Sequence, residues 1–248
     1  MSHLQQLLQR VDAQKEQLKT INTTMEGATG IIQPTFNEKC RFLSDSLAFS
    51  NLFVSKEQIK EILSSSDSSL FKEQTQEIFH TVTGYAKAFD FMVLLSKQQP
   101  LEITEDVMKN FHHLLFSDFE NAPSDAYRTI HFFDENTGYR SPSPEDLSHV
   151  MPHLGDQFRS SKTTLHPVEL SAMMSKRVLD IHPFMEGNKR IAHLMMNVIL
   201  LHYGYPIISI SKENQKNYES ALHIARTEYD MEPFSILLAT LLLETELH

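Results

Sequence analysis

The chain has 248 residues, with 22 Lys+Arg against 32 Asp+Glu and a formal net charge of −10. That balance argues against bulk nucleic-acid binding, which draws on cations at phosphates, and a 41% hydrophobic content excludes a disordered chain. No apolar run approaches the ~20 residues of a membrane span, the start MSHLQQLLQR lacks the order of a secretory signal, and Cys40 stands alone. A single cysteine forms no disulfide framework and no Cys-based zinc site, so the expected setting is reducing and cytoplasmic.

Apolar residues recur mostly at helical spacing. Leu4, Leu7, Leu8, Val11 and Leu18 give the stripe of a first helix over residues 3–21, which suits packing on the bundle or on a second copy in a homodimer. Ser55 with Gln58 forms a capping box ahead of Ile59, Ile62 and Leu63. Phe71 to Ser96 reads as one long helix. Thr104, Glu105 and Asp106 start the next, whose inner face is Val107, Phe111, Leu114 and Leu115. Residues Thr129–Ser141, TIHFFDENTGYRS, carry the turn chemistry of a β-hairpin. Helices resume near Pro144–Phe158, His166–Ile181, Asn188–Tyr203, Ser211–Ala225 and Glu232 to the end. The expected fold class is an all-α helical bundle with one short hairpin.

The densest chemistry is His182-Pro183-Phe184-Met185-Glu186-Gly187-Asn188-Lys189-Arg190-Ile191-Ala192-His193. Pro183 ends one helix at Ile181–His182, because a residue before proline is pushed out of the α region. Gly187 and Asn188 open the next helix, which has Ile191, Leu194, Met195, Val198 and Ile199 on its inner face and stops at Gly204 and Pro206. A helix start presents unpaired N–H groups and suits an anion. Lys189 and Arg190 are unfavourable for that helix alone and call for an anionic ligand. Glu186 is an oxygen donor placed for Mg²⁺, which commonly joins one or two carboxylates to phosphates, and His182 can act as a general base. A phosphate-transfer site follows, alongside the plainer reading of a Gly-Asn turn with an arginine paired to a surface carboxylate. A zinc protease is disfavoured, since no His-Glu-x-x-His spacing exists.

At these residues the sequence resembles the Fic family, whose motif is met at His182, Phe184, Glu186, Gly187, Asn188 and Arg190. The likeness extends through Gly204-Tyr205-Pro206, to Ala126-Tyr127-Arg128 before the hairpin, and to Tyr218, Ala221, Leu222, Asp230, Pro233 and Phe234. It implies a Fic-like bundle with a hairpin flap, divided as residues 1–45, an N-terminal helical region, and 46–248, a catalytic domain. It also implies transfer of AMP from ATP, with Mg²⁺, to a Ser, Thr or Tyr hydroxyl of a protein, automodification included. His182 would be the base and Glu186 the metal ligand. Gly187, Asn188, Lys189, Arg190, His193 and Tyr218 would hold ATP, and Thr137, Gly138 and Tyr139 the target segment.

Two motif positions depart from the family pattern: Lys189 replaces a glycine and His193 a second arginine. Lys189 is shared with the Doc branch, which makes phosphate transfer the alternative activity; removal of AMP and a catalytically inactive binding module complete the set. The segment 46–63 resembles the family's inhibitory helix, with Ser46, Ser50 and Asn51 at its motif positions, but Ser50 stands where a glutamate is usual. Ser50 and His193 are therefore expected to face each other in place of a lost Glu–Arg clamp. A second Glu-Gly, at the end of Asn22–Gly27, fits the motif less well.

Overall fold

The computed structural model describes residues 1–26, 33–65, 73–119, 126–135 and 137–245. Its elements run α1 (His3–Glu26), α2 (Phe36–Phe49), α3 (Lys56–Ser64), α4 (Glu73–Ser96), α5 (Glu105–Phe116), β1 (Phe133–Asp134), β2 (Tyr139–Arg140), α6 (Leu147–Ser161), α7 (Pro167–Ile181), α8 (Asn188–His202), α9 (Gln215–Thr227) and α10 (Glu232–Glu244). The fold is the expected helical bundle with a two-stranded antiparallel hairpin, in register Phe133↔Arg140 and Asp134↔Tyr139. Residues 71 and 72 of the expected fourth helix, Gly27 of the second Glu-Gly segment and Asn136 of the hairpin turn lie outside the described residues.

Local chemistry sets the helix starts. Ser55 accepts from the Gln58 N–H while the Gln58 side chain receives the Ser55 N–H, and Thr104 accepts from Val107. Thr35 and Glu38 make a further capping box on α2. Each such cap is worth ~1 kcal/mol. The expected start at Pro144 moves to Leu147, because Ser143 bonds Asp146 and holds the intervening residues in a turn.

The organising element is α8. Ile191, Leu194, Met195, Val198 and Ile199 are buried as expected, but so are Ala192, His193, Met196, Asn197, Leu200 and Leu201. A helix buried around its whole circumference is a core helix rather than a half-exposed one. It packs chiefly on α7 and α4, with further contacts to α2 and α5. Its interior amide is satisfied: Asn197 donates to the carbonyls of His193 and Ile208 and accepts from the Ile208 N–H at 2.8 Å. The extended segment after Pro206 is thereby cemented to the helix.

Close approach elsewhere needs a missing side chain. A Cβ on Gly84 of α4 would lie 2.6 Å from the Leu115 carbonyl oxygen of α5, so only glycine lets those two helices meet. The stripe of α1 is buried, and the helix packs on α10. Tyr205 donates to Asp12 at 2.5 Å, and His166 Nε2 lies 3.3 Å from the same oxygen. The first helix thus covers the bundle of its own chain. The expected boundary at 45/46 falls inside α2, whose residues belong to the same continuous core.

Candidate functional site

The loop between α7 and α8 is a tight link tied to itself. Asn188 is 2% exposed, and its side chain donates to the Phe184 carbonyl at 2.7 Å and accepts from the Phe184 N–H at 3.0 Å. One N–H and the oxygen of the amide thereby brace the loop, and an anion at this turn would meet the backbone N–H groups beside it. Gly187, at φ +80°, is the N-cap and offers no side chain to the start of α8. The first helical bond runs from the Ile191 N–H to the Gly187 carbonyl, which leaves the preceding N–H groups free for a ligand. Phe184 is fully buried and stacks on His112, with ring centroids 4.2 Å apart.

His182 caps α7 in the left-handed region, with φ 48° and ψ 60°. Its ring lies flat against Phe132, centroids 3.5 Å apart and 6° between planes. Burial, then the cations Arg128, Arg226 and Lys189, lower its pKa to about 4, against a smaller opposing effect of Asp134. The imidazole is neutral near pH 7 and keeps a lone pair for a proton. Arg128 fixes the loop's backbone from below. It is buried, and its guanidinium donates to the carbonyls of His182 at 2.7 Å, Ile130 at 2.7 Å, Pro142 at 2.5 Å and Ile181 at 3.3 Å. Its own N–H donates to the Pro183 carbonyl.

Two clefts flank the start of α8. The flap-side cleft, about 650 Å³, is bordered by His182, Lys189, Thr137, Tyr218 and Arg226. The other, about 550 Å³, lies toward α4 and α5 and is bordered by Glu186, Arg190, Ser50 and Glu77. Phe49 forms part of the flap-side wall, with Lys189 Nζ 5.2 Å above its ring. Arg190 lies over Phe116 at 5.0 Å and forms no salt bridge among the described residues. Burial lowers its pKa, opposed by Tyr85 and Glu186. A guanidinium so placed can receive an anion. Glu186 is exposed at the rim.

His193 departs from expectation. It is 2% exposed, and its Nδ1 lies 3.1 Å from Ser46 Oγ, which is 2.5 Å from the Tyr85 hydroxyl. The expected partner, Ser50, instead caps α2 and borders the α4-side cleft. One helical turn separates the two serines, and only Ser46 faces α8. Burial, reinforced by Lys189, lowers the His193 pKa to about 3. The ring is neutral, packed against Phe49 and Tyr218, and borders neither of these clefts. Asn51 takes φ 62°, the left-handed turn that asparagine tolerates at a helix end. Tyr218 is in the cleft wall yet 1% exposed, wedged among Phe49, His193 and Phe234.

In the flap, Thr137 borders the cleft, Gly138 turns at φ +68°, and the Tyr139 ring lies under the Arg226 guanidinium at 4.6 Å. Phe132 and Arg226 carry no motif signal; Phe132 is an aromatic just ahead of the first strand and Arg226 one of two formal cations, with Lys216, on an amphipathic helix. Among the described residues no three His, Cys, Asp or Glu side chains group as a metal site, and no helix is long and apolar enough to cross a membrane. Glu186 beside an uncapped helix start nevertheless suits Mg²⁺, which takes few carboxylates when it arrives with phosphates.

The Fic/DOC family model matches residues 102–200. The protein adenylyltransferase Fic of Aedes aegypti is 39% identical over 98 residues, which cover 39% of this chain and 19% of that protein. Its Drosophila willistoni namesake is 31% identical over 137 residues, covering 55% and 27%. The chain thus spans only about a fifth to a quarter of these curated relatives. A Fic-domain signalling protein from Bacteroides thetaiotaomicron superposes with a TM-score of 0.75 at 21% identity, over 98% of this chain and 93% of that one. An IbpAFic2 domain in complex with adenylylated Cdc42 gives 0.56 at 18%, over 93% and 70%. Both share the fold.

Proposed function

We propose that the chain, whose residues 102–200 match the Fic/DOC family model, transfers AMP from ATP to a hydroxyl side chain of a protein. The observation that carries the reading is the position of His182: a neutral imidazole at the rim of a cleft, six residues before the uncapped start of α8. The curated relatives' name, protein adenylyltransferase, and the adenylylated partner of IbpAFic2 agree with it.

The chain's residues divide the work. His182 takes the proton of the attacking hydroxyl as the oxygen bonds to the α-phosphorus. Pyrophosphate leaves as the phosphorus–oxygen bond opposite breaks. Backbone N–H groups at Gly187 and beyond face the charge that develops on the α-phosphate oxygens, fixed in place by the Asn188 staple. Arg190 offers its charge to the leaving group in the α4-side cleft, and Lys189 faces the nucleotide from the flap side. Glu186 would hold Mg²⁺, which would supply further neutralisation of the phosphates. Thr137, Gly138 and Tyr139 lie on the hairpin against which a target strand can pair. Catalysis here is positioning and electrostatics, as expected for transfer at phosphorus.

The test is incubation with Mg²⁺ and ATP labelled either at the α- or at the γ-phosphate, with His182→Ala as control. AMP transfer requires α-label in protein, lost in the control. Label from the γ-phosphate alone means phosphate transfer, the outcome to which Lys189 points. No label from either phosphate overturns the enzymatic reading in favour of a binding module.

A further inference from the structure

Arg226, on α9, is the most heavily bonded cation bordering the flap-side cleft, and neither the base nor the phosphate chemistry uses it. Its side chain is 4% exposed. Nε donates to Asp180 Oδ1 at 2.8 Å, Nη1 to Asp134 Oδ2 at 2.6 Å and more weakly to Thr137 Oγ1 at 3.5 Å, and Nη2 to the Leu179 carbonyl at 3.3 Å. The guanidinium plane covers the Tyr139 ring at 4.6 Å. Asp180 itself is buried and also receives Lys176 at 2.5 Å, so the two carboxylates are balanced by two cations.

These contacts join two pieces of chain that meet at His182. Asp180 and Leu179 are the last turn of α7, two and three residues before His182. Asp134 is two residues after Phe132, whose ring lies on His182. The hairpin ladder itself has two residue pairs. So short a hairpin does not hold its shape in water without an anchor. Arg128 anchors its base through carbonyls; Arg226 grips both strands near the turn.

We propose that Arg226 is a positioning residue that latches the flap to the end of α7, so that Phe132 is held on the His182 ring. This rests on the reading of His182 as the base and of the flap as the target's docking strand. A planar fork with donors in fixed directions holds two carboxylates from separate elements in one set geometry, where a lysine's rotatable donors fix no such orientation. The latch makes the geometry of flap and base a single unit before any ligand arrives.

The experiment compares the full chain with Arg226→Gln by hydrogen exchange, by NMR of the His182 ring protons, and by binding of a fluorescent trinitrophenyl-ATP probe. Flap amides over residues 131–141 are expected to exchange faster by about tenfold or more, while those of α8 keep their protection. The His182 ring signals are expected to lose the upfield shift that a ring stacked at 3.5 Å imposes. Probe affinity is expected to stay within about twofold, since nucleotide phosphates meet the α8 start instead. Unchanged ring signals and flap exchange in the folded variant overturn the latch. So does loss of protection spread evenly over α7, α8 and α9, which would mark general support. If Arg226→Gln does not fold, Asp134→Ala cuts the flap arm alone and leaves the Asp180 contact. The same two signals then decide. Neither depends on turnover, so a chain that transfers no AMP still tests the latch.

Discussion

Ser46 Oγ lies 3.1 Å from His193 Nδ1, joining α2 to the middle of the core helix α8. Between them and Tyr85 a short chain of buried polar atoms stands where the sequence suggests Ser50 against His193. Ser46→Ala leaves the imidazole Nδ1 and the Tyr85 hydroxyl without that partner. The expected cost is about 1–3 kcal/mol, or a fall of several degrees in melting temperature, read by calorimetry or circular dichroism.

Ser50, a turn further on, faces the α4-side cleft beside Arg190 and Glu186. A carboxylate introduced there meets the enclosed guanidinium and competes with phosphate for it. Ser50→Glu is expected to raise the KM for ATP by about tenfold, as one charge-assisted contact is worth roughly 1.5–3 kcal/mol. Steady-state kinetics check this, and an unchanged KM would mean that Arg190 is not a phosphate contact.

Gly187 combines a backbone constraint with a steric one. Its φ is +80°, and an added Cβ would lie 3.0 Å from Phe116 Cε2. Gly187→Ala is expected to destabilise the fold by about 1–2 kcal/mol, the cost of a left-handed non-glycine residue, and to lower transfer more strongly because the backbone donors shift. Denaturant titration beside labelled-ATP assays separates the two effects.

Acid should weaken the fold in a defined window. His182 and His193 have folded pKa values lowered to about 4 and about 3, against an ordinary value of 6.5. The unfolded chain therefore binds more protons between those values, and stability rises with pH across that interval. The full contribution is present above about pH 6.5. It is lost progressively as pH falls toward 4 for His182 and toward 3 for His193, roughly 3–5 kcal/mol for each. Melting temperature measured from pH 7.5 to 4 should fall, and His193→Asn should flatten part of that slope. A flat profile in the parent chain would contradict the buried neutral state of both rings.

Much of this architecture is legible in the sequence because its signals are local. The caps Ser55 and Thr104, the break at Pro183 and the restart at Gly187 each act within four residues, and each appears where expected. What the sequence does not show depends on distance along the chain or on how a loop closes. Arg226 finds Asp180 46 residues away and Asp134 92 residues away, and neither separation leaves a pattern. Asn188 reads as a ligand because an amide at a helix start can donate outward; that it also braces Phe184 is known only once the loop is closed. The choice between Ser46 and Ser50 turns on which side of α2 meets α8, which a serine-rich turn does not announce.

Lys189 borders the flap-side cleft and Arg190 the α4-side one. Consecutive residues of a helix point about 100° apart, so the pair looks two ways from one turn. A ligand with one phosphate can answer only one of these charges, whereas a chain of phosphates curving round the helix tip can answer both. Under the proposed function, the start of α8 would gauge the length of what it holds, favouring a triphosphate on entry and loosening its hold once the chain has been cut.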